Sequence, residues 1–360
     1  MNTIKILTSQ AIPGMIVSED VYTKDLHLVI SKGTTLTDKI ITRLEFYSIT
    51  DFSVYSDDSN DNVGPEYVEN TFYSEIKNSD SFKRFQKAYQ NTVKNFKASI
   101  DNIVENNEDV DPEHILSDVS KIIHQCNTNI ELFNMLHCMR EYDDTTYVHS
   151  LNVSLICNIL GKWLSFSPKD VEVITLCGLL HDVGKLKIPN SIISKPGKLT
   201  SEEFSLIKTH TIRGFNILKN KNVDERVKLA AVMHHERCDG SGYPNGLVSH
   251  EIDQFSKLVA IADVYDAMTC ARVYRGPLCP FEVINLFETE GYLKYDTKYI
   301  LTFLEGIVQT YINNSVRLNN DMEGEIVLIN KFELSRPIVM VGDEFIDLSK
   351  HRNLYIQALI

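Results

Sequence analysis

From Asp111 to about residue 315 the pattern is nearly all helical, and its most apolar run, Val171 to Leu180, ends on the polar pair His181-Asp182. No other feature restricts the fold as much. An apolar helix of this kind is buried, and a charge stranded at its buried end is costly without a partner. The chain therefore has to fold as a packed helical core that gives His181 and Asp182 company, and a metal ion is one such partner. Start signals mark the surrounding helices. Asp111-Pro112 and Ser167-Pro168 each place a capping side chain before a proline at the first helical position. Thr200-Ser201-Glu202-Glu203 forms a capping box ahead of the helix that carries His210, which is expected in mid-helix.

The ends of the chain have other periods. Residues 1–56 read as a small α/β domain, with strand character at Ile4-Lys5-Ile6-Leu7, Leu28-Val29-Ile30 and Phe52-Ser53-Val54-Tyr55, turns at Gly14 and Lys32-Gly33-Thr34, and a short helix opened by Thr37. Residues 57–66 form a polar linker and 67–117 a helical connector. In the connector Phe82, Phe85, Tyr89, Val93, Phe96, Ile100 and Ile103 step by three and four along one face. That stripe packs on the rest of the chain or on a second copy in a homodimer. Residues 316–360 read as short strands beginning at Gly324, with Gly342-Asp343 as a hairpin turn. The fold class is mainly α, with a helical core at 118–315, a small α/β domain before it and a small β-rich C-terminal extension after it.

A formal net charge of −13 argues against binding of polymeric nucleic acid or an anionic membrane surface. It leaves room for an anionic substrate, because bound metal ions invert the local field. No apolar run is long enough to span a bilayer, and MNTIKILTSQ lacks a signal-peptide core. Seven cysteines without a CxxC pair point to a reducing, cytoplasmic setting.

Chemistry concentrates in the central third. His149, His181, His210, His234 and His235 occur there with Asp182 and Asp263, and imidazole with carboxylate suits iron, manganese or zinc. Two such metals side by side are a device for hydrolysing phosphate esters. Gly184 lets the backbone turn away tightly, and Lys185 offers a cation to a phosphate oxygen. Adjacent residues on a helix do not share a face, so His234 and His235 reach one metal only if their helix ends there. The following Asp239-Gly240-Ser241-Gly242-Tyr243-Pro244 run supports that ending. Asp263 and Asp266 lie near one face of an otherwise apolar helix. Singly, each residue has an ordinary reading as core, cap or surface. Their joint occurrence does not.

His149-Ser150, the HDVGK run 181–185, His210, HHERCDGSGYPNGL from 234 to 247 and ADVYDAMT from 262 to 269 make the stretch from about 118 to 315 resemble an HD-GYP domain. This is the branch of the HD phosphohydrolase superfamily that degrades cyclic di-GMP. The resemblance implies an HD-type helical bundle and two ligand sets. His149, His181, Asp182 and Asp263 would hold one divalent metal, and His210, His234 and His235 the other, with Asp182 bridging. Iron or manganese would be the metals. Lys185 would touch the scissile phosphate, Asp266 would orient Lys185 or the water network, Arg272 and Arg275 would contact substrate, and Gly242, Tyr243 and Pro244 would shape the pocket wall. Members with a third metal carry a glutamate where this chain has Thr145, beside Asp144, so two metals are expected here. Cys238, Ala271 and Val273 depart from the family pattern without removing a ligand. The N-terminal segment, with Pro13-Gly14-Met15 and Lys32-Gly33-Thr34-Thr35-Leu36, resembles the small domain that often precedes such modules.

The activity implied is hydrolysis of cyclic di-GMP to the linear dinucleotide pGpG, with water attacking phosphorus in line; either pGpG is the end product or a sufficiently open site cuts it again to GMP. The alternatives are another cyclic dinucleotide, such as cyclic GMP-AMP, and a cyclic-dinucleotide receptor or scaffold with signalling protein partners.

Overall fold

The computed structural model describes residues 3–8, 11–23, 28–47, 49, 51–55, 76–139, 146–193, 195, 200–270 and 278–360. The linker at 57–66, Asp144, Thr145, Ala271, Arg272, Val273 and Arg275 lie outside the described residues.

The N-terminal unit contains strands β1 (Thr3–Leu7), β2 (Val21–Tyr22) and β3 (Leu28–Ile30), helix α1 (Asp38–Phe46) and strand β4 (Asp51–Tyr55). β1 pairs antiparallel with β4, and β2 with β3. Ile6, Val17, Leu36, Leu44, Phe52 and Val54 fill a core of its own. Phe46 is different. It is 1% exposed and belongs to the core of the helical bundle, with its ring edge-on to Phe287 at 5.7 Å.

Within the described part of the connector lies α2 (Asp80–Glu105), where the Phe82 backbone N–H donates to the capping hydroxyl of Ser79. Its stripe is covered from within the chain. Phe82, Phe85, Tyr89, Phe96, Ile100 and Ile103 are buried, and the helix packs on α3 (Pro112–Ile123), α4 (Asn129–Met139) and α5 (Thr146–Trp163). An apolar dimer seam along this stripe is therefore not available. The expected start of the helical core at 118 falls inside α3.

α5 and α6 (Pro168–Leu180) form the centre of the bundle, with Leu155, Ile156, Cys157, Leu160, Ile174, Cys177 and Leu180 all inaccessible. They approach closely because Gly178 has no side chain; a Cβ there would strike the backbone of Ser154. A tight turn at Val183–Lys187 follows α6. α7 (Ser201–Lys208) starts with the expected capping box of Thr200 and Glu203. It ends before His210, and a separate helix, α8 (His210–Leu218), begins at that residue. The expectation of a mid-helix His210 is thus corrected. Thr209 keeps helical angles, but its N–H donates to Leu206 three residues back, so the chain tightens there and the α-helical hydrogen-bond pattern is interrupted.

α9 (Glu225–Met233), α10 (Gln254–Thr269), α11 (Pro280–Leu286) and α12 (Thr297–Gln309) complete the bundle, with a wide turn at Phe287–Gly291 after α11. The tail forms one antiparallel sheet in the order β8-β7-β6-β5-β9, from β5 (Ser315–Leu318), β6 (Glu323–Leu328), β7 (Ile338–Val341), β8 (Glu344–Asp347) and β9 (Ile356–Leu359). Its inward residues Val316, Leu318, Ile326, Val339, Leu348 and Ile356 join the bundle core. Among the described residues no helix is long and apolar enough to cross a membrane.

Candidate metal centre

Five elements deliver their polar ends to one buried point. α6 delivers His181 and Asp182, which are 0% and 1% exposed. α5 brings His149 from its first turn, and α10 brings Asp263 and Asp266 to face it. His210 opens α8, and His234 and His235 lie just past the end of α9, where the helix stops as their pairing requires. Gly184 serves the site by close approach. A Cβ there would collide with the backbone carbonyl of His210, so the small residue lets α8 come against the turn after Asp182.

The hydrogen bonds fix which ring nitrogens face inward. His181, His210 and His234 each place Nδ1 on a backbone carbonyl, that of Gly178 at 2.7 Å, Ile207 at 2.7 Å and Ala230 at 2.9 Å. A carbonyl only accepts, so Nδ1 carries a proton there and Nε2 is the ring atom left facing the centre. His210 Nε2 and His234 Nε2 then stand 3.2 Å apart, lone pair against lone pair. His149 has Nδ1 on Asp266 Oδ2 at 2.8 Å and Nε2 on Asp263 Oδ1 at 3.0 Å.

Asp182 stands between the two groups. Its Oδ1 is 3.3 Å from His210 Nε2 and 3.6 Å from His234 Nε2. Its Oδ2 is 3.3 Å from His181 Nε2, 3.7 Å from His149 Nε2 and 2.5 Å from Lys185 Nζ. His235 Nδ1 lies 3.8 Å from Asp263 Oδ2.

Burial and charge set the protonation. Burial pushes His210 down to about 3, holds His234 below the ordinary imidazole value and holds His235 well below it. Burial also opposes charge on His149, but the carboxylates of Asp263 and Asp266 overcome it and lift that ring to about 10. Burial would raise the carboxyl of Asp182, yet Lys185 and His181 hold it well below the usual range. Asp263 is held low in the same way, against burial, by its hydrogen bond and ion pair with His149.

Divalent metal fits this arrangement. Among the described residues, His181 Nε2 and Asp182 Oδ1 are buried without a hydrogen bond, a costly state unless a cation lies between such acceptors. Two ligand groups converge, Asp182 with His210, His234 and His235, and His149 with His181 and Asp182. Each Nδ1–H bond to a carbonyl or carboxylate is of the kind that fixes a metal-binding imidazole.

The remaining expected residues fall as follows. Asp266, expected to orient Lys185 or the water network, has its Oδ2 on His149 Nδ1 at 2.8 Å. Tyr243 stacks on His235 with ring centroids 4.6 Å apart, and Gly242 packs where a Cβ would meet the backbone of Glu236 and Arg237. Pro244 follows in the same loop. Sequence reasoning missed Glu236, which is 2% exposed and accepts from two backbone N–H groups of the loop, those of Asn245 at 2.8 Å and Leu247 at 2.9 Å. Its signal was an acidic residue directly after the adjacent pair His234-His235, a charge that is costly to bury without donors.

A helical bundle closed around converging imidazoles and carboxylates is a scaffold for divalent metal. The chain matches the family model described as HD domain over residues 114–299. It is 33% identical over 205 residues to a cyclic di-GMP phosphodiesterase of Pseudomonas aeruginosa, covering 56% of this chain and 49% of that protein. It is 36% identical over 178 residues to a cyclic di-GMP phosphodiesterase of Thermotoga maritima, covering 49% of this chain and 48% of that protein. A 3'3'-cGAMP-specific phosphodiesterase of Vibrio cholerae is 41% identical over 145 residues, 40% of this chain and 34% of that protein. The chain therefore spans about half or less of the relatives it matches. In fold it is similar to an HDG"Y"P protein of Bdellovibrio bacteriovorus, with a TM-score of 0.52 at 18% identity, over 85% of this chain and 99% of that one. The chain belongs to the HD domain family.

Proposed function

We propose that this protein is a metal-dependent phosphodiesterase that hydrolyses cyclic di-GMP to pGpG and on to GMP. The observation that carries the reading is Asp182, whose two carboxylate oxygens face two separate imidazole groups. The names of the Pseudomonas and Thermotoga relatives support the substrate. In this reading His149, His181, Asp182 and Asp263 hold one ion, and His210, His234, His235 and Asp182 the other. Iron or manganese suits a ligand set without thiolate. Bound divalent ions supply Lewis acidity at phosphorus and make water acidic enough to react near neutral pH. Lys185 neutralises charge as it builds on the phosphoryl oxygens. Asp266 holds the tautomer of His149, Gly242, Tyr243 and Pro244 line the pocket, and Arg272 and Arg275 contact substrate.

The helical region around 118–315 carries the reaction in this proposal, and the units at 1–56 and 316–360 receive signals or protein partners. The scattered cysteines support a cytoplasmic setting. A homodimer through the 82–103 helix would use its outer polar face, since its apolar stripe is buried.

The test is anaerobic turnover by iron- or manganese-loaded protein, separating pGpG from GMP by chromatography. Product that disappears on chelation is expected. Loaded protein that leaves cyclic di-GMP intact would overturn the substrate. The Vibrio relative favours cyclic GMP-AMP as the second substrate to try. A receptor or scaffold would have no need of two metal equivalents, so metal content as purified separates it from both.

A further inference from the structure

The N-terminal unit and the pocket loop meet on one buried cation. Lys294, just beyond the wide turn Phe287–Gly291, is 5% exposed, and lysine is rarely so buried without partners. Its ammonium lies 4.9 Å from the centroid of the Tyr47 ring, 3.7 Å from Asp239 Oδ2 and 3.5 Å from Ser241 Oγ. Tyr47 directly follows α1, whereas Asp239 and Ser241 belong to the loop that leads to Tyr243.

Both sides of this contact are anchored. On the N-terminal side Arg43 Nε is 2.8 Å from Glu290 Oε1, and Phe46 lies 5.7 Å from both Phe287 and Tyr295. Gly291 lies beside this contact, and a Cβ there would press on Ile300 and Phe287. On the loop side the carbonyl of Lys294 accepts from the Cys238 N–H at 2.8 Å. Asp239 Oδ1 gathers the Ser241 N–H at 2.9 Å and its hydroxyl at 2.6 Å, which sets the turn. The chain then brings Tyr243 onto His235.

We propose that Lys294 is a positioning residue for the 238–244 loop, and that the docked N-terminal unit, through Tyr47, sets the placement of Tyr243 over His235. The idea rests on the reading above in which Tyr243 lines the substrate pocket. A stimulus that lifts α1 from Lys294 lets water reach the ammonium, weakens its hold on Asp239 and Ser241, and loosens the pocket wall.

Hydrogen exchange of the loop amides in the full chain, without substrate, reads the wiring directly. Lys294→Met and Tyr47→Ala are each expected to speed exchange across 239–247 by about thirtyfold, the size of a desolvated cation–π contact, while Lys294→Arg stays near the parent. The double variant should be no faster than the worse single one, because both remove one contact. Folded single variants with unchanged loop exchange, or effects that simply add, overturn the proposal. If Lys294→Met does not fold, Tyr47→Ala alone decides in the same way. With manganese-loaded protein the same variants should raise KM for cyclic di-GMP several-fold while kcat and metal content hold; an unchanged KM beside faster exchange overturns the pocket half of the proposal. Parent protein that neither binds nor cleaves cyclic di-GMP or cyclic GMP-AMP would overturn the substrate reading instead, and the exchange result would still stand.

Discussion

Asp182 is the side chain that no other could replace, because its two oxygens address two histidine groups from a position 1% exposed. Asp182→Ala is expected to lose both metal equivalents and turnover together, as measured by elemental analysis of reloaded protein beside an activity assay. Two retained equivalents with full activity would remove Asp182 from the bridge. Lys185→Ala should behave differently, keeping its metal while turnover falls about a hundredfold or more, the usual loss for a charge-stabilising donor. The residue types and their order were legible in the chain because His181, Asp182, His234, His235 and Asp263 are odd polar residues at the end or on the face of apolar helical runs, whereas His210, among polar neighbours, was legible only in their company. Their pairings were not. His149 meets Asp266 across 117 positions, and no local pattern encodes that. Gly184 was read as a turn, but its importance lies in a contact with the backbone of His210, a neighbour that only the fold supplies.

Helix starts were the easiest elements to read, since capping is settled among four consecutive residues. In α7 both halves of the capping box form, with Thr200 N–H on Glu203 Oε2 at 2.6 Å and Glu203 N–H on Thr200 Oγ1 at 3.2 Å. Thr200→Ala should therefore cost about 1 kcal/mol, seen as a lower midpoint in chemical denaturation at unchanged slope. A midpoint equal to the parent would mean that tertiary packing holds α7 without its cap. The break at Thr209 was invisible because no glycine or proline marks it. β5 was missed for a related reason. Four residues, Ser315–Leu318, alternate too briefly to declare a strand, and only β6 and β9 on either side make them one. The helical stripe at 82–103 was legible as a stripe, whereas the surface it covers had to be learned from the packing of α3, α4 and α5.

The bundle core extends beyond the bundle. The inward faces of the C-terminal sheet merge with it, and from the N-terminal unit Phe46 reaches into it. Composition could set the three regions apart along the chain, but it could not reveal that they share apolar residues, because that sharing depends on which faces meet. Phe46→Ala should uncouple the N-terminal unit, at a cost of about 3–5 kcal/mol for an emptied aromatic site. Calorimetry of the parent should show that unit melting with the bundle, and the variant should show it melting earlier as a separate transition. A single unshifted transition would mean the two were never joined through Phe46. The docking of that ring also bears on ancestry. Any lineage that exchanged this N-terminal unit for a different domain would inherit an open aromatic socket at Phe287 and Tyr295, so recombination here succeeds only where the newcomer brings its own plug.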